Sequence, residues 1–502
     1  MEVSDMKKYL KLNSFVFLVL FTLVVILIQC AVNPVTGKKE IMLISESMEI
    51  DMGKDIDRAL RLEYGLYNDP QLRSYVKQIG SDLVPFTHRP HLQYHFEILD
   101  TPVENAFAAP GGYIYITRGL LAMLNSEAEL ATVLGHELGH VNARHSARQM
   151  TRSILVTLGI AIAGELSEDI RKIAPVSYIA AQLLFLKYSR SDEYQADALG
   201  IEYATKAGYS AGEMVNFFSS LQRLTESEGG ARIPNFLSTH PLTPRRIERV
   251  KELLASEEYQ HTDGTSPLIV KREPYINKLD GLVYGINPRQ GFLEGNTFYH
   301  PDMQFYFRIP NGWDVANTAR QVTLGPKDGK AVIILQAEDT TEDLESYSQK
   351  MMKNVNSPKV LQKEYRYSNG MNTYHTLLGI AASSENDSEE EKKGEAVNMR
   401  IDCIRKGGTI FTFFSAAALS DYSRYRYYFD STTASFNHLR SAGYLNRKPV
   451  RVLIKKADRS QSLRYFLVNM NIPGEYWDRI SILNAVELDQ RLIPDQLIKI
   501  VR

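Results

Sequence analysis

Apolar positions follow three different spacings along this chain. An unbroken apolar or near-apolar run covers Phe15 to Ile28, behind Lys7, Lys8 and Lys11. From there to about residue 257 the spacing is mainly helical, and beyond residue 297 apolar and polar positions alternate as in strands. A lead-in and a helix are expected up to about Gly65, and a second helix over Asp69 to Gly80, ending at its glycine. Strands follow at His95 to Leu99 and at the alternating Tyr113-Ile114-Tyr115-Ile116, reached from Asn105 through Pro110-Gly111-Gly112. Ser126 with Glu129 three residues on is a capping box and opens a long helix. The runs Ile154 to Gly164 and Ile179 to Leu186, broken by Glu165 to Asp169, are too short to cross a bilayer and read as core helices. A further helix is expected over Asp192 to Ala207, closed by Gly208.

Residues 261–296 are rich in Gly, Pro, Asn and charge and read as a linker. Strands are then expected at Phe305 to Ile309, Ala331 to Leu335, Val397 to Ile404 and Thr409 to Phe414, the last two joined at Gly407-Gly408, with a helix near Glu342 to Asn354. These make a mixed domain over 297–445. The acidic run Glu385 to Glu391, followed by Lys392-Lys393, reads as a solvated hairpin loop. Residues 450–502 read strand, helix, helix, strand. That order resembles a LysM-type glycan-binding module, although Asp458 to Leu463 stands where such modules carry Gly-Asp-Thr-Leu.

At 502 residues with 44% hydrophobic and 23% charged positions, the chain is too long for one core and should form two or three domains. A formal net charge of -1 leaves no broad basic field, which argues against a nucleic-acid partner. Residues 1–30 have the layout of a secretory signal. Leu27-Ile28-Gln29-Cys30 resembles a bacterial lipobox with Cys30 as the lipidated residue, but Gln29 stands where a small residue belongs, so an uncleaved anchor remains open. Both readings tether the chain to a membrane. With Cys30 lipidated, Cys403 has no partner for a disulfide; it shares a face with Val397, Met399 and Ile401 and reads as a buried strand cysteine.

The chemistry concentrates in Leu134-Gly135-His136-Glu137-Leu138-Gly139-His140, an H-E-x-x-H pattern inside the capped helix. His136 and His140 fall about 40° apart around a helix, so both imidazoles can reach one ion. Glu137 lies about 100° round, beside the metal position, where it can take the proton of the attacking water. Gly135 and Gly139 would let another element pack closely. A short motif can arise by chance on a helix with two surface histidines, so the case turns on a third ligand. His145, five positions beyond His140, should face elsewhere on a continuing helix, and Ala143 and Ser146 break the metzincin pattern. Glu193 and Asp197, four apart, are better placed: Glu193 can ligate, and Asp197 can accept the free N-H of a ligating imidazole. Two imidazoles, a carboxylate and an open position suit one Zn2+ per chain.

Together with Asn33-Pro34-Val35-Thr36-Gly37, Asn105 to Gly112, Ser189 to Asp197, and Ser238-Thr239-His240-Pro241 with Arg245-Arg246-Ile247, the motif resembles a family of zinc peptidases over residues 31 to 255. That family includes the yeast prenyl-protein endopeptidase, the HtpX heat-shock proteases, the Oma-type proteases and the periplasmic barrel-assembly-enhancing lipoproteins, whose branch is the best match. The resemblance implies Glu193 as third ligand, Asp197 behind the metal, and Asn105, Ala106, Phe107 and Ala108 on an edge strand that holds a peptide. Pro241 disfavours a helical conformation at His240, which sets the imidazole on an extended turn that could swing. The resemblance implies that this turn passes over the cleft, where the imidazole would gate and assist catalysis; a capping or packing histidine is the plainer alternative. The implied fold class is α+β: a mainly helical gluzincin-type peptidase domain (31–260) with a small sheet, the linker, the mixed α/β domain and the LysM-like module. The implied function is a zinc-dependent endopeptidase of misassembled or unfolded envelope proteins. It would sit in the periplasm of a Gram-negative bacterium, lipid-anchored at the inner leaflet of the outer membrane, with peptidoglycan as a further partner. The competing reading is a non-enzymatic envelope assembly or glycan-binding factor, which would be expected to have lost Glu137 or a ligand.

Overall fold

The computed structural model describes residues 30–162, 187–227, 235–256, 268–353, 355, 357–381 and 396–502. The apolar run 15–28, most of the lipobox, the run 179–186 and the acidic segment 385–391 lie outside the described residues. Two compact units are present: one joins the segment up to Arg61 with Gly65–Tyr284 and Arg451–Arg502, and the other is Gly285–Val450 with Leu62–Tyr64. Among the described residues no helix is long and apolar enough to cross a membrane.

The first unit opens with the short pair β1 (Cys30–Val32) and β2 (Lys39–Ile41). Helices α1 (Glu46–Glu63) and α2 (Pro70–Leu83) follow. Gly80 does not end α2 as expected; it lies inside the helix, where a Cβ would meet the Phe96 ring at 2.4 Å. The glycine serves packing, which a local stop signal cannot express. Strands β3 (His95–Leu99), β4 (Ala106–Ala109) and β5 (Tyr113–Thr117) form a sheet of order β3-β5-β4, with β3 parallel and β4 antiparallel to β5.

After α3 (Arg118–Met123), Ser126 caps α4 (Glu127–Asn142) by accepting the N-H of Glu129, and every residue of α4 is buried. The central position of α4 follows: it is the helix around which the unit packs. Next come α5 (His145–Ile162), α6 (Arg190–Lys206), α7 (Glu213–Ser227), α8 (Asn235–Thr239), α9 (Pro244–Leu254) and α10 (Arg272–Lys278). The last of these lies within the stretch read as a linker. As the two glycines suggested, α6 crosses α4 at backbone contact: a Cβ on Gly135 would meet Gly200 O at 3.0 Å, and one on Gly139 would meet the Cα of Ala196 at 3.0 Å.

The second unit is rich in sheet. Strands β6 (Phe292–Glu294), β7 (Thr297–His300) and β8 (Phe305–Arg308) join β16 (Asn437–His438) in a four-stranded sheet. A seven-stranded antiparallel sheet has the order β12-β13-β14-β15-β11-β10-β9. Its strands are β9 (Trp313–Asn317), β10 (Gln321–Pro326), β11 (Ala331–Asp339), β12 (Pro358–Ser368), β13 (Met371–Ile380), β14 (Val397–Lys406) and β15 (Thr409–Ala418). Helix α11 (Leu344–Met352) covers a face on which Cys403 is fully buried with Ile401, and α12 (Tyr422–Ala434) packs on the other face.

The carboxy-terminal segment belongs to the first unit. It contains β17 (Val452–Lys456), β18 (Gln461–Ser462), α13 (Leu463–Asn469), α14 (Trp477–Asn484), β19 (Arg491–Leu492) and β20 (Leu497–Val501). The expected strand, helix, helix, strand order is present with two further short strands, β18 and β19, paired inside it, and β17 is antiparallel to β20.

Candidate metal centre

Helix α4 presents His136 and His140 one turn apart, the first turn of α6 presents Glu193, and His240 follows directly on α8. All four are buried, and ligand atoms from each lie within 4.8 Å of one another. His140 Nε2 is 3.0 Å from His136 Nε2, which is 3.2 Å from His240 Nδ1; that atom is 3.0 Å from Glu193 Oε1. Donors about 2.0–2.1 Å from a tetrahedral ion stand about 3.3 Å apart, so these spacings suit one shared ion. The charge suits one too. When ionised, the carboxylates of Glu137, Glu193 and Asp197 outnumber the Arg246 guanidinium by two, all within the buried interior, and a divalent cation cancels that excess.

The hydrogen bonds behind the donors leave the correct nitrogens free. Asp197 Oδ1 lies 2.9 Å from His136 Nδ1, so His136 carries its proton there and turns the Nε2 lone pair to the site. His145 Nε2 is 3.0 Å from Gln195 Oε1 and donates to it; its Nδ1, 2.8 Å from His140 Nδ1, then accepts the His140 proton. His140 Nε2 is thereby free as well. Burial, then the neighbouring His136 and His145, holds His140 well below the usual histidine range, and burial brings His145 to about 4. Both are neutral imidazoles at neutral pH.

His145 was expected to face elsewhere. That expectation assumed one continuous helix, but α4 ends at Asn142, Arg144 takes a left-handed φ of 55°, and α5 starts at His145. The reversal returns the ring to His140. Tyr188 also had no sequence signal; its ring stacks on His140 with centroids 4.0 Å apart, and its hydroxyl lies 3.0 Å from Ser146 Oγ.

Glu137 points past the donor set. Its Oε1 is 3.6 Å from His240 Nε2, and neither carboxylate oxygen has a hydrogen-bond partner among the described residues. Burial raises its pKa, an effect that His240 and His136 only partly offset. Glu193 behaves differently, since the pull of His240 and Arg246 exceeds the effect of burial and holds it low. The same contest brings Asp197 to about 2, because Arg246 grips both of its oxygens, Nε to Oδ2 at 2.5 Å and Nη2 to Oδ1 at 2.7 Å. Arg246 Nη1 also lies 2.6 Å from Glu193 Oε2 and donates to the His240 carbonyl at 3.2 Å. It comes from α9, 49 residues beyond Asp197, so no local spacing could have assigned it this place.

His240 sits at the bend that follows α8. Pro241 stops the helix where expected, but the imidazole is fully buried and its backbone N-H donates to Phe236 O at 2.8 Å. Burial would lower its pKa, yet Glu193 and Glu137 hold it up. Asn105, Ala106, Phe107 and Ala108 lead into or form β4, at one edge of its sheet, and all four are buried. Cys30 begins β1, and its side chain is outside the described residues.

The family model that matches this chain is Peptidase family M48, over residues 70–254. Among curated relatives, the beta-barrel assembly-enhancing protease of Escherichia coli (strain K12) is 30% identical over 212 residues, covering 41% of this chain and 43% of that protein. The protein of the same name in Yersinia pestis is 31% identical over 221 residues, with the same two shares. The mitochondrial metalloendopeptidase OMA1 of Schizosaccharomyces pombe is 27% identical over 235 residues, 44% of this chain and 65% of its own length. The match thus spans less than half the length of the two bacterial relatives. Residues 70–254, which hold the H-E-x-x-H helix and all four converging side chains, match the model of Peptidase family M48.

Proposed function

We propose that this chain is a zinc-dependent endopeptidase of the Gram-negative cell envelope that hydrolyses misassembled or unfolded envelope proteins. The observation that carries the reading is the buried convergence of His136, His140, Glu193 and His240, with the unpartnered Glu137 carboxylate beside it. Two imidazoles and a carboxylate favour zinc among divalent ions. When bound, the ion supplies Lewis acidity to the scissile carbonyl and to water. Glu137 takes the proton of the attacking water on a carboxylate oxygen and returns it to the leaving amine. Its raised pKa brings it nearer to neutrality, as that exchange requires.

Asp197 fixes the His136 tautomer, and the edge strand at Asn105 to Ala108 holds an extended peptide through backbone hydrogen bonds. His240 gates the site: where it stands it occupies the space water needs, and displaced it donates to the oxyanion. The names of the bacterial relatives support envelope proteins as clients. Lipid attachment at Cys30 would hold the chain at the inner leaflet of the outer membrane, and the βααβ segment at 452–501 is proposed as LysM-like, with peptidoglycan as its partner. Metal analysis and casein cleavage with wild type and Glu137→Gln test the core of this reading. The variant should keep about one zinc and lose about 10²- to 10⁴-fold in turnover; undiminished cleavage refutes the mechanism.

A further inference from the structure

We propose that the carboxy-terminal segment 451–502 is a latch on the metal centre, with Arg479 of α14 as the positioning residue that holds His240 in place through Glu104 and α8. The latch rests on the gating role proposed for His240 and adds what controls it.

The chain of contacts is continuous. The Arg479 guanidinium is bonded to the Glu104 carboxylate, and its Nε donates to the Tyr284 hydroxyl at 2.5 Å. Glu104 is buried and immediately precedes Asn105 and β4. Its carbonyl accepts the N-H of Phe236 at 2.9 Å, and Phe236 O accepts the N-H of His240 at 2.8 Å. The Phe236 ring stacks on the His240 imidazole with centroids 4.7 Å apart. A second route runs from the same helix: Arg223 of α7 donates to Ser481 Oγ of α14 at 2.8 Å, and Phe217 of α7 meets Phe236 edge-on at 5.3 Å.

Helix α8 has five residues. An isolated helix of that length has no stability of its own, so its position is set by what it touches. Both routes end on Phe236, and both start from α14. The segment that carries α14 is in turn fixed to the body of the unit. Lys499 is fully buried, its ammonium donating to the carbonyls of Ala122 and Leu124 at 2.8 Å each, and Asn484 at the end of α14 bonds the Lys499 backbone in both directions at 2.8 Å. A pull on this segment is therefore transmitted to His240, while a loose terminal module would transmit nothing.

The test uses the full chain as wild type, Arg479→Met, Arg479→Lys and Glu104→Gln, with Arg479→Met also made in a His240→Ala background. Backbone amide exchange over residues 236–240 should rise about tenfold in Arg479→Met and Glu104→Gln, the scale of one charge-assisted hydrogen bond, with zinc content unchanged. Arg479→Lys should restore wild-type exchange. Against a short unstructured peptide, a more often open gate lowers KM by up to the same factor with kcat unchanged, because a larger fraction of the chain is competent to bind. In the His240→Ala background Arg479→Met should shift KM no further. Unchanged exchange at 236–240, or a KM shift that persists without His240, overturns the latch. Exchange is read without turnover, so a chain that proved to have no peptidase activity would sink the functional proposal and leave the latch to be decided by exchange alone. Should Arg479→Met fail to fold, exchange in Glu104→Gln decides in its place, by the same two outcomes.

Discussion

Asn in place of Asp197 separates what this carboxylate does for the fold from what it does for the metal. Asp197 accepts two hydrogen bonds from Arg246 and one from His136, and all three side chains are buried. Its carboxyl stands at about 2 where the ordinary value is 3.8, which corresponds to about 2 kcal/mol of stability at neutral pH. A depressed folded-state pKa means that this contribution is complete above pH 3.8 and is lost as pH falls toward 2. Asp197→Asn forfeits it and also strands a buried guanidinium opposite an amide NH2. The total expected loss is therefore about 3–5 kcal/mol, the range for breaking one side of a buried ion pair. The remaining amide oxygen can still accept the His136 proton, so zinc affinity should fall only near the lower end of the about 10- to 100-fold range for such supporting groups. Urea unfolding of chelator-treated protein measures the first effect, and competition against a zinc indicator dye the second. The stability gap between wild type and variant should also shrink as pH falls from 3.8 toward 2, where first the unfolded and then the folded wild-type carboxyl takes up its proton. A loss under about 1 kcal/mol that does not vary with pH would show that the Arg246 grip contributes little.

Lys499→Met removes a buried ammonium that satisfies three carbonyls at the end of α3, at 2.8, 3.4 and 2.8 Å; urea unfolding should show a loss of about 2–4 kcal/mol, and a neutral result would mean that desolvating the amine cancels its bonds. Burial pushes the Cys403 thiol up to about 12, so a thiol reagent at pH 8 should react only after unfolding. Because the folded chain keeps that proton while the unfolded chain releases it near pH 9, stability should fall as pH rises from 9 toward 12; rapid labelling of the native protein counts against a buried thiol. Cys30→Ala should abolish incorporation of a fatty-acid analogue, whereas an uncleaved anchor would never have incorporated it.

What could be read from the sequence was what local spacing encodes. The cap at Ser126, although Glu129 reaches back to the N-H of Asn125 and not of Ser126, the shared face of His136 and His140, and the glycines that admit α6 all depend on residues within one or two turns. Strand β12 escaped notice because it is exposed on both faces and so shows no alternation, and α12 because tyrosines spread around it blur the helical period. His145 escaped for a different reason: a single left-handed residue at 144 restarted the helix, and angular arithmetic across such a break has no meaning. Arg246 and Tyr188 are tied to the metal centre only by tertiary contact. Helix α10, inside the apparent linker, holds Tyr275 and Ile276 fully buried, yet seven residues are too few for a period to stand out.

The arrangement around Arg246 explains why so much charge is kept in a dry interior. Buried ion pairs stabilise poorly, since apolar residues of the same volume often serve better. Here one guanidinium touches Asp197 and Glu193 from α6 and the carbonyl of His240, so it ties two carboxylates and the His240 backbone into one group. Rigidity of the donor set costs nothing at the moment of reaction if it is installed during folding. Among the described residues the Glu137 carboxylate has no hydrogen-bond partner, and His240 follows directly on the five-residue α8. On the proposed mechanism, the carboxylate that must move a proton is thus one that this network does not hold by a hydrogen bond.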